Sequence, residues 1–210
     1  SDLHVSADGR TLSSISDVGN WLTATIVYGK DGNLVGLADG RLGSLRGLDG
    51  KPLPDKELAD AEGLARTPDG GWLVSFERQH RIWRYPSLEG TPIAVNIPGD
   101  FGRQPYNGGV EALTVLPDGR IVALSEEYSE RPGTVAGWIG TPTGRGSYTW
   151  QSFAYTTLPD FRPTAIAQLP DGSFAAIERA FDIVRGVRCR VMRFESAQLQ
   201  PGGTVQAEEL

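Results

Sequence analysis

Two pairs of glutamates stand symmetrically around Asp-Gly dipeptides. Glu62 lies seven residues before Asp69-Gly70 and Glu77 seven residues after it, and Glu111 and Glu126 have the same spacing around a later Asp-Gly. If each Asp-Gly closes a two-residue hairpin, the glutamates of a pair face each other across two strands. Directly opposed like charges destabilise a sheet. Two such pairs therefore indicate a function, because facing carboxylates can bind a divalent cation or act as general acid and base.

Two further acidic residues occupy related positions. Asp17 is spaced from Asp2 as Glu77 is from Glu62, although its unit needs a slipped turn, and Glu178 of the last unit is expected opposite Ala165. Without a His or Cys cluster, oxygen ligands favour Ca²⁺ or Mg²⁺ over Zn²⁺. The predicted metal ligands are Asp17, Glu62, Glu77, Glu111, Glu126 and Glu178. The alternative is that each glutamate accepts backbone N–H bonds or pairs with an arginine near in sequence, the candidates being Arg78, Arg162 and Arg179.

A repeat must position these residues. A turn tripeptide with an Asp-Gly core recurs four times, and short apolar runs lie before and after each copy. The copies are Ala7-Asp8-Gly9, Pro68-Asp69-Gly70, Pro117-Asp118-Gly119 and Pro170-Asp171-Gly172. Two more strand-like runs follow in each unit, which is typical of β-propeller blades. We therefore predict an all-β, propeller-like chain of about four blades of four antiparallel strands.

The expected blades lie within a single domain, 1–210, and cover approximately 1–40, 60–98, 109–156 and 162–210. The last strand is expected at Thr204–Leu210. Asp55–Ala65 has the Ala, Leu and Glu content of a helix, but a helix there would break the repeat register. If the first strand of each blade lines the channel, the acidic residues meet at one channel mouth.

Composition excludes several classes of partner. The net charge is −6 and the pI is about 5.0, which argues against a nucleic-acid partner. No apolar run approaches the roughly 18 residues of a membrane-spanning helix. The segment Ser1 to Arg10 carries no signal-sequence pattern. Weaker candidates are His80 as a general base and Asn107-Gly108-Gly109 as an anion cradle, each set against a plain loop.

Several segments together resemble one family. They are Ala7-Asp8-Gly9-Arg10, Asp60-Ala61-Glu62-Gly63-Leu64, Ser75-Phe76-Glu77-Arg78, Glu111-Ala112-Leu113, Leu124-Ser125-Glu126, Arg162-Pro163-Thr164 and Ile177-Glu178-Arg179. The chain resembles the family called esterase-like activity of phytase. The resemblance implies a propeller, phosphoester hydrolysis, and export in bacteria to the periplasm or the extracellular space. The family's closing segment is missing here, so we expect a truncated, open propeller; the alternative is a closed four-bladed ring.

These observations combine into one functional hypothesis. We expect a metal-assisted phosphoester hydrolase with Ca²⁺ or Mg²⁺ at the acidic mouth and a small-molecule phosphoester as substrate. The expected catalytic carboxylates are Glu62, Glu77, Glu111 and Glu126, while Arg78 and Arg179 grip the phosphate. The alternatives are a non-enzymatic propeller that binds a ligand or protein, and a lactonase-like or other esterase-like propeller.

Overall fold

The computed structural model describes residues 2–210, which form four β-sheets. The first sheet contains β1 (Leu3–Val5), β2 (Thr11–Ile15), β3 (Asn20–Tyr28) and β4 (Leu34–Ser44). The second contains β5 (Ala61–Arg66), β6 (Trp72–Phe76), β7 (Arg81–Tyr85) and β8 (Ile93–Val95). The third contains β9 (Ala112–Val115), β10 (Ile121–Leu124), β11 (Thr134–Gly144), β12 (Ser147–Thr156) and β16 (Thr204–Val205). The fourth contains β13 (Arg162–Gln168), β14 (Phe174–Asp182), β15 (Gly186–Phe194) and β17 (Glu208–Glu209). The sheets are called the first to fourth blades below.

Three apolar cores hold successive blades together. One contains Ile15 and Trp21 of the first blade with Trp72 and Phe76 of the second. Equivalent cores join the second blade to the third and the third to the fourth. Every residue of β6 and of β10 is buried, as expected for strands covered on both faces. The all-β propeller arrangement with four blades is confirmed.

The inner strands surround a central channel. Residues of β1, β5, β9 and β13 line a cavity of about 360 Å³. Within residues 2–210, no apolar core joins the first blade to the fourth. Leu3 and Val5 of the first blade and Ile177 and Val191 of the fourth are exposed. The four sheets are arranged around the channel as propeller blades, and the predicted truncation relative to a longer propeller stays a prediction. No helix in the described part of the chain has the length and apolarity needed to cross a membrane.

The hairpin turns differ from the predicted two-residue type. In the second blade the Thr67 N–H donates to the Gly71 carbonyl, the Gly70 N–H donates to the Thr67 carbonyl, each at 2.9 Å, and Gly70 has a φ of +86°. This is a three-residue loop: a type I turn followed by a left-handed residue. It places Gly63 opposite Ser75. The strands are therefore shifted by one residue from the predicted register.

The shift removes the predicted facing glutamates. Glu77 pairs with Asp60, whose carbonyl accepts its N–H at 2.8 Å. Glu62 is the extra residue of a bulge between Ala61 and Gly63. The expectation that Glu62 directly faces Glu77 is therefore wrong, because the loop has three residues and the strand bulges.

The same correction applies to the next two blades. The Glu126 N–H donates to the Gly109 carbonyl at 2.9 Å, so Glu126 does not directly face Glu111. In the fourth blade, Ile177 rather than Glu178 lies opposite Ala165.

Two other segments differ from expectation. Lys56–Ala59 forms a one-turn helix, α1, and the Asp55 side chain accepts its Leu58 N–H at 3.0 Å. An Asp N-cap accepts from a helical N–H that has no partner within the helix. The helix does not break the repeat register, because it lies in the linker between β4 and β5. The predicted strand Thr204–Leu210 is divided: β16 pairs in parallel with β12 of the third blade, and only β17 joins the fourth.

Candidate functional site

Asp60, Glu62 and Glu77 come together at one end of the second blade. Each offers a carboxylate oxygen, and these oxygens lie within 4.8 Å of one another, so the three residues could hold a metal ion. Asp60 and Glu62 are buried, with 2% and 9% of their surface exposed. The Glu62 bulge and the pairing of Glu77 with Asp60 create this geometry.

Glu111 and Glu126 of the third blade complete the acidic cluster, defined here as Asp60, Glu62, Glu77, Glu111 and Glu126. Glu111 is close enough to raise the pKa of Glu62, Glu77 and Glu126 electrostatically. Glu62 and Glu111 also line one cavity of about 580 Å³ at the channel mouth. Two neighbouring blades therefore contribute carboxylates to the same site.

Burial shifts the protonation of the acidic cluster. Desolvation, assisted by the charges of Glu111 and Asp60, raises the pKa of Glu62 to about 7. Desolvation, assisted by Glu111, also raises the pKa of Glu126 to about 7. Burial raises the pKa of Glu77 and of Glu111 as well. Low dielectric and like charges disfavour the ionised form, so the cluster holds protons near neutral pH or is stabilised by a cation.

Asp60 was not among the residues predicted from sequence. It lies two residues before Glu62, outside the symmetric positions around the turn, and its only signal is its place in the segment Asp60-Ala61-Glu62-Gly63-Leu64 of the family resemblance. Its Oδ2 accepts from Arg78 Nε at 2.5 Å, and its Oδ1 lies 3.3 Å from Lys56 Nζ. Asp60 therefore links the cluster to two cations.

Arg78 is held in place from several sides. Its φ is +58°, a left-handed conformation that costs a non-glycine residue energy and often marks a functional site. Its guanidinium lies 5.3 Å from the centre of the Tyr106 ring. Its contact with Asp60 is the shortest it makes among the described residues. The predicted grip of Arg78 on a phosphate stays a prediction.

Arg179 lines the channel-mouth cavity together with Glu62 and Glu111. The structure shows no ion pair or hydrogen bond of its side chain with any residue in 2–210, although its charge offsets part of the burial that raises the pKa of Glu111. Arg162 instead forms an ion pair with Glu127 and lies 3.7 Å from Glu126 Oε1. Of the two, Arg179 has the guanidinium that is free to bind an anion.

Glu178 does not belong to the site, so its prediction as a metal ligand is wrong. It is fully buried between the third and fourth blades. One carboxylate oxygen accepts from the Tyr155 hydroxyl at 2.9 Å, and the other accepts from Arg190 Nε and Nη2 at 2.8 and 2.6 Å. Alternation along β14 turns Glu178 toward the third blade and Arg179 away from it.

Asp17 lies on the rim of the cavity, but it is paired with a lysine. Its Oδ2 is 2.6 Å from Lys56 Nζ, and this bond lowers the pKa of Asp17. It is half exposed. Its predicted role as a ligand stays a prediction and would require Lys56 to move.

The glycine loop before the third blade supports Glu77. The Gly109 N–H donates to Glu77 Oε1 at 3.2 Å. His80 Nε2 lies 3.0 Å from the Pro105 carbonyl oxygen, and a Cβ on Gly109 would come within 3.3 Å of both Glu77 Cγ and His80 Nδ1. The Gly109 N–H therefore binds the protein's own Glu77 carboxylate and is not available to an external anion.

Solved structures with similar folds are longer than this chain. A protein of unknown function from Bacteroides caccae is 12% identical, with a TM-score of 0.47, over 96% of this chain and 57% of its own. PorZ, a surface component of the type-IX secretion system of Porphyromonas gingivalis, is 16% identical, with a TM-score of 0.52, over 94% and 25%. The NanB sialidase of Streptococcus pneumoniae is 14% identical, with a TM-score of 0.54, over 93% and 30%. The likeness to the last two supports the propeller fold.

The chain spans less than two thirds of each of these three proteins. Among curated proteins, no sequence matches it. The profile of the family described as "Phytase-like: Esterase-like activity of phytase" matches residues 1–209, and the chain belongs to that family.

Proposed function

We propose that the channel mouth is the site of a divalent-cation-assisted phosphoester hydrolase. One observation carries the proposal: Glu62 and Glu111 of the acidic cluster line a cavity together with Arg179, which has no ion-pair partner among residues 2–210. A divalent cation would neutralise the carboxylates, and the arginine would bind the anionic oxygen of a small substrate. Membership of the phytase-like family supports ester chemistry.

The donor set fits Ca²⁺ or Mg²⁺. Asp60, Glu62 and Glu77 supply only oxygen atoms, which are the ligands that these hard cations prefer. Burial raises the pKa of Glu62 and of Glu77 above the ordinary value, and a bound cation would offset the cost of ionising them. These three residues would hold the ion. When bound, it would supply Lewis acidity and neutralise phosphate charge.

The remaining residues have separate roles in this proposal. Arg179 donates two parallel hydrogen bonds to a non-bridging phosphoryl oxygen pair. Glu126, whose pKa is about 7, accepts a proton from the attacking water, because a general base works best when its pKa lies near the working pH. Burial, assisted by the charge of Glu111, keeps the pKa of Glu126 raised. Arg78 fixes Asp60 in the cluster.

The proposal includes where the protein acts and whether this chain alone is sufficient for activity. Export to the periplasm or the extracellular space is what the family resemblance implies. Because the chain spans only part of its structural neighbours, the experiment below is designed to detect cation binding separately from turnover.

Isothermal titration with CaCl₂ and MgCl₂ tests the cation site. The parent chain should bind one of them, Glu77→Gln should weaken binding about tenfold or more, which is about 1.4 kcal/mol, and Glu208→Gln, an exposed carboxylate of β17, should leave it unchanged. Turnover is then measured on p-nitrophenyl phosphate, bis-p-nitrophenyl phosphate, p-nitrophenyl acetate and a lactone. Binding without turnover on any of them would support a non-enzymatic module, and turnover confined to the acetate or lactone would support an esterase or lactonase. Absence of both cation binding and turnover would refute the proposal.

A further inference from the structure

The opposite face of the propeller contains a second cavity, of about 620 Å³, between the second and third blades. The turns of these blades, at Thr67–Gly71 and at Pro117-Asp118-Gly119, form part of its lining. The acidic cluster lies at the other ends of the same strands. This cavity is therefore separate from the channel mouth, and its volume is within the usual range of small-molecule sites, roughly 300–1,000 Å³.

A long hairpin builds one wall of this cavity. β11 and β12 contain eleven and ten residues, whereas β7 and β8 of the second blade contain five and three. The extra length carries the hairpin tip, residues 142–148, over to the second blade. A bulge between Pro142 and Gly144 changes its direction.

Asn96 of the second blade holds the tip there. Its side-chain Nδ2 donates to the Tyr148 carbonyl at 2.7 Å, and its Oδ1 accepts from the Tyr148 N–H at 2.6 Å. Its own carbonyl accepts from Trp150 Nε1 at 2.7 Å, and its N–H donates to the Gly146 carbonyl at 3.2 Å. Four hydrogen bonds from one residue fix the wall, so the cavity is formed before any ligand binds.

The apolar part of the lining is rigid. Proline has a fixed φ and loses no side-chain freedom when it is covered. A preformed surface of this kind reduces the entropic cost of binding. The apolar and aromatic residues lining the cavity are Pro68, Pro86, Val115, Pro117, Pro142 and Tyr148.

One arginine in the lining of the cavity, Arg145, has no ion-pair partner among residues 2–210. Arg84 forms an ion pair with Asp69, and Asp118 accepts from Arg120 Nε at 2.7 Å. Arg145, at the exposed hairpin tip, makes no ion pair or hydrogen bond with another residue in 2–210 through its side chain. A cavity with apolar walls and one uncompensated guanidinium is complementary to a single negative charge on an apolar body.

We propose that this cavity binds a small aromatic monocarboxylate. Arg145 donates to the carboxylate, and the ring packs on the prolines and on Tyr148. Bidentate hydrogen bonding suits a guanidinium and a carboxylate, and a small apolar body suits a cavity of about 620 Å³ with this lining. The site does not depend on the cation or on the hydrolysis proposed for the channel mouth.

Titration calorimetry with sodium 1-naphthoate, and with the neutral 1-naphthamide as a comparator, tests the proposal. The parent chain should bind naphthoate at least about tenfold more tightly than the amide. Arg145→Gln should remove about tenfold of that affinity, which corresponds to about 1.4 kcal/mol. Arg10→Gln, an exposed arginine beside the β1–β2 turn of the first blade, should bind naphthoate as the parent does.

Three results would overturn the proposal. Equal naphthoate affinity in the parent and Arg145→Gln would indicate adsorption to the exposed apolar blade faces. Equal affinity for naphthoate and naphthamide would remove the role of charge. Absence of binding up to roughly 10 mM naphthoate, weaker than any specific small-ligand site, would remove the site itself.

Discussion

Replacing Glu126 by glutamine should stabilise the protein, and more at pH 8 than at pH 5. The Glu126 side chain is 7% exposed and its nearest cation, Arg162, is 3.7 Å away. Burial raises its pKa from 4.5 to about 7. The folded state therefore binds more protons than the unfolded state between these values, and stability falls as the pH rises through this window. Glutamine is neutral throughout and lacks this loss.

The size of the effect follows from the pKa difference. One pKa unit corresponds to about 1.4 kcal/mol, so ionising Glu126 in the folded protein costs about 3 kcal/mol at pH 8 and about 1 kcal/mol at pH 5. For a chain of this length, about 3 kcal/mol corresponds to roughly 6–12 °C in melting temperature. Urea unfolding of the parent and of Glu126→Gln, without divalent cations and at both pH values, measures the difference.

Glu127→Gln is the matched control. Glu127 is the next residue, is 30% exposed, and forms an ion pair with Arg162, so its substitution should change stability by no more than about 1 kcal/mol, and in the destabilising direction. If Glu126→Gln instead lost roughly 1–3 kcal/mol at both pH values, Glu126 would be a partner in a charged hydrogen bond. The explanation by burial and like charge would then be wrong.

Three further predictions concern the whole fold. Arg190→Met should cost about 3–5 kcal/mol in urea unfolding, because Glu178 would be left buried and without its cation. Gly63→Ala should lower the free energy of unfolding by at least about 2 kcal/mol in the same assay, since its Cβ would lie 2.9 Å from the Glu111 carbonyl oxygen in the next blade. The control is Gly36→Ala, whose Cβ would meet no atom within 4 Å and which should change the free energy of unfolding by less than about 0.5 kcal/mol. The parent chain without divalent cations should melt at a lower temperature at pH 8 than at pH 5, because the carboxylates of the cluster have raised pKa values. Adding CaCl₂ at pH 8 should restore much of the lost melting temperature. A melting temperature that CaCl₂ does not change would contradict the cation site.

The blades could be predicted because their signals are local. An Asp-Gly turn between two apolar runs specifies a hairpin whatever surrounds it. The turn type was also within reach of the sequence. Pro68 before Asp69-Gly70 is typical of a type I turn with proline at its second position and a left-handed glycine at its end. Reading the tripeptide as a three-residue loop would have given the observed register.

The site was harder to predict because a bulge determines it. Nothing in the composition of β5 shows that Glu62 is the extra residue. The bulge accompanies the close approach of Gly63 to the Glu111 carbonyl, a contact between blades that no local pattern contains. Asp60 enters the cluster for the same reason. Sequence alone located the acidic region but not its pairing.

The arrangement of the three cores determines how the chain can come apart. Each core joins only neighbouring blades, so stability is close to a sum of blade and interface contributions, as in a linear array of repeats. The second and third blades each have two such interfaces and the outer blades have one. The acidic cluster is built from the second and third blades, so it lies in the part of the array that opens last. Fraying of the first or fourth blade can therefore occur while the carboxylates stay together.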